Sequence, residues 1–274
     1  VSGIRGHLSL RAEAHPGGRT VIDEQSFSAP FHLSKPYWDG RVLIVQVVNP
    51  TAGVLSGDGL RSNIGVGRDA ALLVTTPSAT RVFQASGAPA QSEQRFAVSD
   101  GGWLDYLPEP LVPHRGSQFF QSTTIEASAH AELFYADLVM PGRLGRGEAW
   151  SWDRLVLALR LSVGGDLLLC ERWDQSGAEA KGLATLAGRE AGACFANLVV
   201  VSPRLKEAGV WTERIRGLHR EGCWVGVSAL RGNRGGWSVK MIAEDSIGLR
   251  AALAEVRESL AAELPRLRSL PRKF

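Results

Sequence analysis

The side chains best placed to do chemistry in this sequence are acidic and scattered. Asp58 stands in the turn Gly57-Asp58-Gly59, where an aspartate commonly bonds its own backbone. Glu171 lies inside the apolar run Leu167–Trp173, next to Arg172. A carboxylate in such a strand either faces out into water or faces in and lines a wet cavity. Arg143 and Glu148 are close enough in sequence to form a structural ion pair. Thr75, Thr76 and Arg81 surround the Pro77-Ser78 turn and read as turn and strand residues. If the fold brought Asp58, Glu148 and Glu171 into one cleft, they could act as the acid and base of a hydrolase.

Compact catalytic or ligand spacings are absent. The chain has no G-x-x-x-x-G-K-[ST] phosphate cradle, and Gly65-Val66-Gly67 lacks the third glycine of a dinucleotide fingerprint. It has no G-x-S-x-G elbow for a serine hydrolase. No H-E-x-x-H, H-x-H or C-x-x-C offers a closed zinc site. The six histidines are singletons, and Cys170, Cys194 and Cys223 are far apart in apolar runs. They read as reduced, mostly buried thiols of a cytoplasmic protein.

The 274 residues are 44% hydrophobic, which suits a sizeable core. A net charge of +3 with both signs mixed argues against a nucleic-acid binder. No run of about 18 apolar residues suggests a membrane span, and Val1–Arg5 does not resemble a secretory leader.

The elements that must position these side chains are mostly strands. His7–Ala14, Arg41–Asn49, Leu60–Val66, Ala70–Thr76, Ala79–Gln84, Gln91–Val98, Trp103–Leu107, Gln118–Glu126, His130–Leu138, Glu148–Val163 and Asp166–Trp173 alternate or carry β-branched runs between turn signals. Many short strands at this spacing predict a mainly β body over about residues 1–173, in stacked sheets or a solenoid-like winding. No fixed repeat of 20–50 residues is visible. Residues 174–192 read as a loop. A smaller β-α-β-β-α portion follows over about 193–264: strand Cys194–Val201, a helix opened by Ser202-Pro203, a hairpin of Cys223–Leu230 and Trp237–Ile242, and a helix capped by Asp245. In that last helix Leu249, Leu253, Val256 and Leu260 step along one face. The reading is therefore one domain over residues 1–274 with two helices.

Four segments combine glycine, proline and charge in unusual arrangements. They are Asn49-Pro50-Thr51-Ala52-Gly53-Val54-Leu55-Ser56-Gly57-Asp58, then Leu73–Phe83 with Thr75-Thr76-Pro77-Ser78-Ala79-Thr80-Arg81, then Leu104-Asp105-Tyr106-Leu107-Pro108, then Pro141-Gly142-Arg143-Leu144-Gly145-Arg146-Gly147-Glu148 with Leu167-Leu168-Leu169-Cys170-Glu171-Arg172 behind it. In this order they resemble the urease accessory protein UreD family (UreH in some organisms). Two departures are Ser56, where the family commonly has glycine, and the ending Pro271-Arg272-Lys273-Phe274 in place of P-R-[IV]-W.

The resemblance implies a β-helical, non-enzymatic scaffold. It implies partners UreF, the GTPase UreG through UreF, and apo-urease, assembled as a dimer of heterodimers. It also implies that Ni²⁺ passes transiently through an internal tunnel, with no permanently bound cofactor. A conduit needs oxygen or nitrogen donors that attract the ion without caging it, because several thiolates or imidazoles would hold Ni²⁺ too firmly. Asp58 and Glu171 are then the candidates for the metal path, and Arg143, Glu148, Thr75, Thr76 and Arg81 are tunnel or structural residues. The alternatives are an all-β hydrolase using carboxylates, a metal-storing protein with a tight site, and a docking scaffold without metal passage.

Overall fold

The computed structural model describes residues 3–188, 192–232 and 234–270; the Pro271–Phe274 ending lies outside them. The chain opens with an antiparallel pair, β1 (Arg5–Ala14) and β2 (Thr20–Phe27), followed by the short β3 (His32–Leu33) and β4 (Tyr37–Asp39). A winding course follows: β5 (Val42–Val48), β6 (Gly59–Val66), β7 (Ala71–Thr75), β8 (Thr80–Val82), β9 (Ala90–Val98), β10 (Trp103–Leu107), β11 (Leu111–Pro113), β12 (Gln118–Ala127), β13 (Glu132–Val139) and β14 (Arg154–Val163).

Each turn of the winding gives one strand to each of two facing sheets. In the first sheet β1, β6, β9, β12 and β14 run parallel as neighbours. In the second, β5, β7, β10 and β13 do the same. The short parallel pair of β8 and β11 forms a third wall. Successive corners stack rung on rung: Ser99 N–H donates to Val66 O at 2.9 Å, Ser128 N–H to Val98 O at 2.8 Å and Gly164 N–H to Ala127 O at 2.8 Å. This is the β-helical body that the strand spacing and the resemblance led us to expect.

β15 (Asp166–Gln175) turns back as a hairpin on β14 and forms an edge of the first sheet. Beyond α1 (Gly177–Ala184), the chain adds β16 (Cys194–Val201), β17 (Cys223–Ala229) and β18 (Gly236–Ala243) to the second sheet, in the order β13-β16-β18-β17. The helices α2 (Val210–Arg216) and α3 (Ser246–Leu260) cover the far face of that sheet. The second sheet is thus buried on both sides. On β13, Leu133 and Tyr135 face the first sheet, whereas Phe134, Ala136 and Leu138 face the helical layer. Asp245 caps α3 by accepting from Gly248 N–H at 2.7 Å, and Leu249, Leu253, Val256 and Leu260 are buried, as their spacing predicts.

The structure corrects several expectations. Residues 174–192 are not all loop: Ser176 and Glu179 form a reciprocal capping box that starts α1, so there are three α-helices among the described residues rather than two. Ser202-Pro203 starts only a single 3-10 turn, Pro203–Leu205; α2 begins at Val210, with Gly209 in extended conformation before it. The segment Glu148–Val163 becomes a strand only from Arg154, because Trp150 adopts φ +58° and breaks the extended path. β2 escaped notice because it is an edge strand, exposed along much of its length, and so lacks apolar alternation. Cys194 and Cys223 are buried but Cys170 is exposed. Burial pushes the Cys194 thiol up to about 12, which keeps it protonated and inert.

Candidate functional site

Polar side chains cross the interior between the two sheets at one level. On the inner face of the first sheet the strand register aligns Ser62 of β6, Gln94 of β9, Thr123 of β12, Leu159 of β14 and Glu171 of β15. At about 4.8 Å per strand, this row spans roughly 19 Å. Opposite it, Tyr106 of β10 pairs in register with Tyr135 of β13. One step further along the strands, Asp137 of β13, Asn197 of β16 and Lys240 of β18 form a second row.

Hydrogen bonds knit these groups into a seam. Gln94 Nε2 donates to the Tyr106 hydroxyl at 3.3 Å, and Thr123 Oγ1 lies 3.2 Å from both Gln94 Oε1 and the Tyr135 hydroxyl. Tyr135 donates its proton to Asp137 Oδ2 at 2.7 Å, so the single Thr123 proton serves either Gln94 or Tyr135. Gln121 Nε2 donates to Asp137 Oδ1 at 3.1 Å. Tyr106 and Tyr135 stack with centroids 5.3 Å apart. Burial, reinforced by the Asp137 charge, holds both phenols well above the ordinary tyrosine range. Burial likewise raises Asp137 to about 6; the Tyr135 and Gln121 hydrogen bonds oppose the shift and Glu171 adds to it.

A cavity lies at each end of the seam. One, of about 230 Å³, is bordered by Ser62, Ser92, Gln94 and Tyr106 inside and by Asn49, Thr51–Val54 and Thr76–Arg81 at its rim. The other, of about 300 Å³, is bordered by Asp137, Glu171, Asn197 and Lys240 among apolar side chains including Trp173 and Phe195. In the latter, Glu171 faces inward. It accepts from Asn197 Nδ2, and Lys240 Nζ donates at 2.6 Å to Glu171 Oε2 and at 2.6 Å to Asn197 Oδ1.

The other sequence candidates sit apart from this seam or around its mouth. Asp58 is buried, and both its oxygens are engaged by backbone: Ile4 N–H donates to Oδ1 at 2.9 Å and Leu55 N–H to Oδ2 at 2.8 Å. Its visible work is to pin the loop Asn49–Asp58 against the N-terminal strand. That loop clasps β8 through Val54 N–H to Arg81 O at 2.8 Å and Phe83 N–H to Val54 O at 2.9 Å. Gly53, at φ +146°, allows the close approach, since a Cβ there would lie 2.5 Å from Arg81 O. Replacing Asp58 with Ala would orphan two N–H groups. We expect a loss of about 1–3 kcal/mol in urea unfolding, and a smaller loss for Asp58→Asn, which keeps one acceptor. Equal stability of the Ala variant would refute this role.

Thr75 is buried and donates to Leu107 O at 2.6 Å. Thr76 Oγ1 accepts from Glu109 N–H at 2.9 Å, tying the Thr-Thr-Pro turn to the Leu-Pro-Glu-Pro loop. Arg81 is exposed at the cavity rim. Arg143 and Glu148 form a forked ion pair at 2.8 and 2.6 Å, and the Arg143 hydrogen bonds hold the Glu148 carboxyl below its ordinary value. Asp58 is thus engaged in its turn and Glu148 by Arg143, and neither lines the cavity of Glu171.

Sequence reasoning missed Asp137, Tyr106, Tyr135, Asn197 and Lys240. The available signal was isolated polar residues within apolar strands, as Asn197 in Cys194-Phe195-Ala196-Asn197-Leu198-Val199. Among the described residues no three His, Cys, Asp or Glu side chains gather as a metal cage, and no helix is long and apolar enough to cross a membrane.

The chain matches the profile of the UreD urease accessory protein family over residues 5–273. It is 52% identical to a urease accessory protein UreD of Opitutus terrae, with 98% of each chain covered. It is 28% identical to urease accessory protein UreD 2 of Streptomyces griseus, over 89% of this chain and 85% of that one. It is 32% identical to a UreD of Haloarcula marismortui, over 58% and 54%. With the β-helical winding and the ordered loop motifs already in place, this match over nearly its whole length makes the chain a member of the UreD family of urease accessory proteins.

Proposed function

We propose that this protein is a non-catalytic scaffold of urease maturation that passes Ni²⁺ between its two cavities to apo-urease. It works beside the helical accessory protein UreF and the GTPase UreG, in the cytoplasm, as a dimer of heterodimers, and it holds nickel only in transit. The observation that carries the reading is the polar seam joining the two cavities through an otherwise apolar sandwich. Gln94, Thr123, Tyr106 and Tyr135 offer neutral oxygens, and Asp137 and Glu171 offer carboxylates only toward one end. Serial weak donors of this kind favour entry and permit exit. A set of thiolates or imidazoles would hold the ion instead.

The side chains of the seam fill the space between the cavities, so passage requires them to part. Asp58 enters this proposal as the residue that sets the loop at the first mouth. Thr75, Thr76 and Arg81 shape the same rim, while Arg143 and Glu148 brace a neighbouring loop.

The test is urease activation in cells carrying the urease and accessory genes. Glu171→Ala should lower activation severalfold while the variant still co-purifies with UreF, UreG and apo-urease. Normal activation would remove Glu171 from the path, and a complex that falls apart would assign it to assembly.

A further inference from the structure

Lys240 occupies the place in the second cavity where a cation would sit. Its ammonium is 2.6 Å from Glu171 Oε2 and 2.6 Å from Asn197 Oδ1, and Asn197 is bonded to Glu171 through its amide. Asp137, next to Asn197 in register, lines the same cavity. Oxygens of Glu171 and Asn197, from one strand of each sheet, therefore hold one position with the Asp137 carboxylate lining the cavity beside it, and a tethered positive charge fills that position.

The three partners differ in freedom. The Lys240 side chain is 52% exposed, whereas that of Glu171 is 25% exposed. A lysine stem has four rotatable carbons and its head is readily hydrated. Lys240 can therefore swing into water at low cost, while Glu171 and Asn197 are held by their strands. Charge favours the exchange: two carboxylates with one ammonium carry −1 when both are ionised, and a divalent ion in the ammonium's place balances them.

We propose that Lys240 is a displaceable plug: Ni²⁺ enters the Glu171–Asn197–Asp137 position only by expelling the ammonium, and the returning ammonium expels the ion. The inference rests on the reading that nickel crosses the molecule. It adds the device that keeps a carboxylate-lined cavity from becoming a storage site. Ion and ammonium compete for the same oxygens, so each weakens the other by the same factor.

The test is equilibrium dialysis of the full chain against Ni²⁺, with Glu171→Ala activation measured in parallel. Lys240→Met keeps the length of the stem and removes the charge. It should raise Ni²⁺ affinity roughly tenfold or more, and Glu171→Gln added to it should abolish the gain. In cells Lys240→Met should retain nickel and lower urease activation. Lys240→Arg, which keeps a cation and can fork onto Glu171, should admit less nickel than the wild type; it carries the test if the Met variant fails to fold. A purely structural Lys240 would change thermal stability without a Glu171-dependent change in Ni²⁺ affinity. Unchanged affinity in the folded variants, with Glu171→Ala still lowering activation, overturns the plug and leaves the passage standing. Normal activation by Glu171→Ala takes Glu171 out of the path, and the passage through this second cavity fails with it.

Discussion

Replacing Arg257 with Met should cost about 3–5 kcal/mol of folding stability, the usual penalty for leaving one partner of a buried ion pair alone. Arg257 of α3 forks onto Asp105 of β10, Nη1 to Oδ1 at 3.0 Å and Nη2 to Oδ2 at 2.7 Å. The side chains are 5% and 0% exposed. Nη2 also donates to Leu267 O at 2.9 Å and Ser269 O at 3.3 Å, and the guanidinium lies 5.0 Å from the centre of the Phe134 ring. One planar group thus ties the last helix, the segment after it and the middle strand of the second sheet. Asp105→Asn should lose a similar amount, since a neutral amide cannot match the charge or accept both arms of the fork. The double variant Asp105→Leu with Arg257→Met should lose much less than the sum of the single changes, because no charge is left buried without its partner. Urea denaturation of the wild type, Asp105→Leu, Arg257→Met and the double variant measures the coupling. Additive losses would show that the pair contributes nothing as a pair.

This pair and the polar seam are built from adjacent residues of the same strand. Asp105 faces the helices and Tyr106 faces the first sheet, as strand alternation requires. Anchoring Asp105 therefore also fixes which side of β10 presents its hydroxyl to Gln94. The Leu-Asp-Tyr-Leu-Pro segment looked distinctive in the sequence for its proline and its place in an ordered set, but its two informative residues were the ones between the leucines.

Much of the architecture was legible because its signals are local. Alternating strands, glycine-rich corners, the Asp245 cap and the apolar stripe of α3 each depend on a few neighbouring residues, and each is found. The start of α1 carried a local signal as well, Ser176 with Glu179 three residues on, but the glycine and alanine content of the segment read as loop. The seam was not legible, because register between strands far apart in the chain decides it. Gln94, Thr123 and Glu171 share one level only after β9, β12, β14 and β15 have stacked in parallel or turned back, and a shift of one residue would send each to the opposite face. Glu171 could be suspected, since a carboxylate amid leucines is costly unless it is used. Lys240, fifth of the eight residues of β18, was harder to suspect, because a lone lysine in a strand usually reads as a residue on its solvated face.

Stability should fall as pH rises from about 4 to about 6, by up to about 3 kcal/mol relative to Asp137→Asn. Asp137 is raised from 3.8 to about 6, first by burial and then by the charge of Glu171, against the Tyr135 and Gln121 hydrogen bonds and the charge of Lys240. The folded protein therefore binds a proton more readily at this position than the unfolded chain does. Below pH 4 both states are protonated and the carboxyl costs nothing extra. Between 4 and 6 the unfolded chain ionises while the folded one resists, so the native state loses ground. Above about 6 both are ionised and the penalty is constant. Most carboxylates give the opposite slope, as Glu148 does, held below its ordinary value by Arg143 and so losing stability in acid.

The Asn variant removes the Asp137 proton equilibrium and leaves the others in place. Its amide can accept from Gln121 and donate to the Tyr135 hydroxyl, which can then turn its own proton to Thr123. Any cost of that rearrangement is independent of pH, so the difference between the two proteins isolates the carboxyl. The measurement is urea unfolding of both proteins in steps from pH 4 to pH 7. A difference that stays flat across this range would mean that Asp137 is adequately solvated in the folded protein, and the seam would then lose its costly carboxylate. A falling difference would show that the fold keeps an ionised group inside at neutral pH against its own stability, which is the expected signature of a residue retained for what it binds.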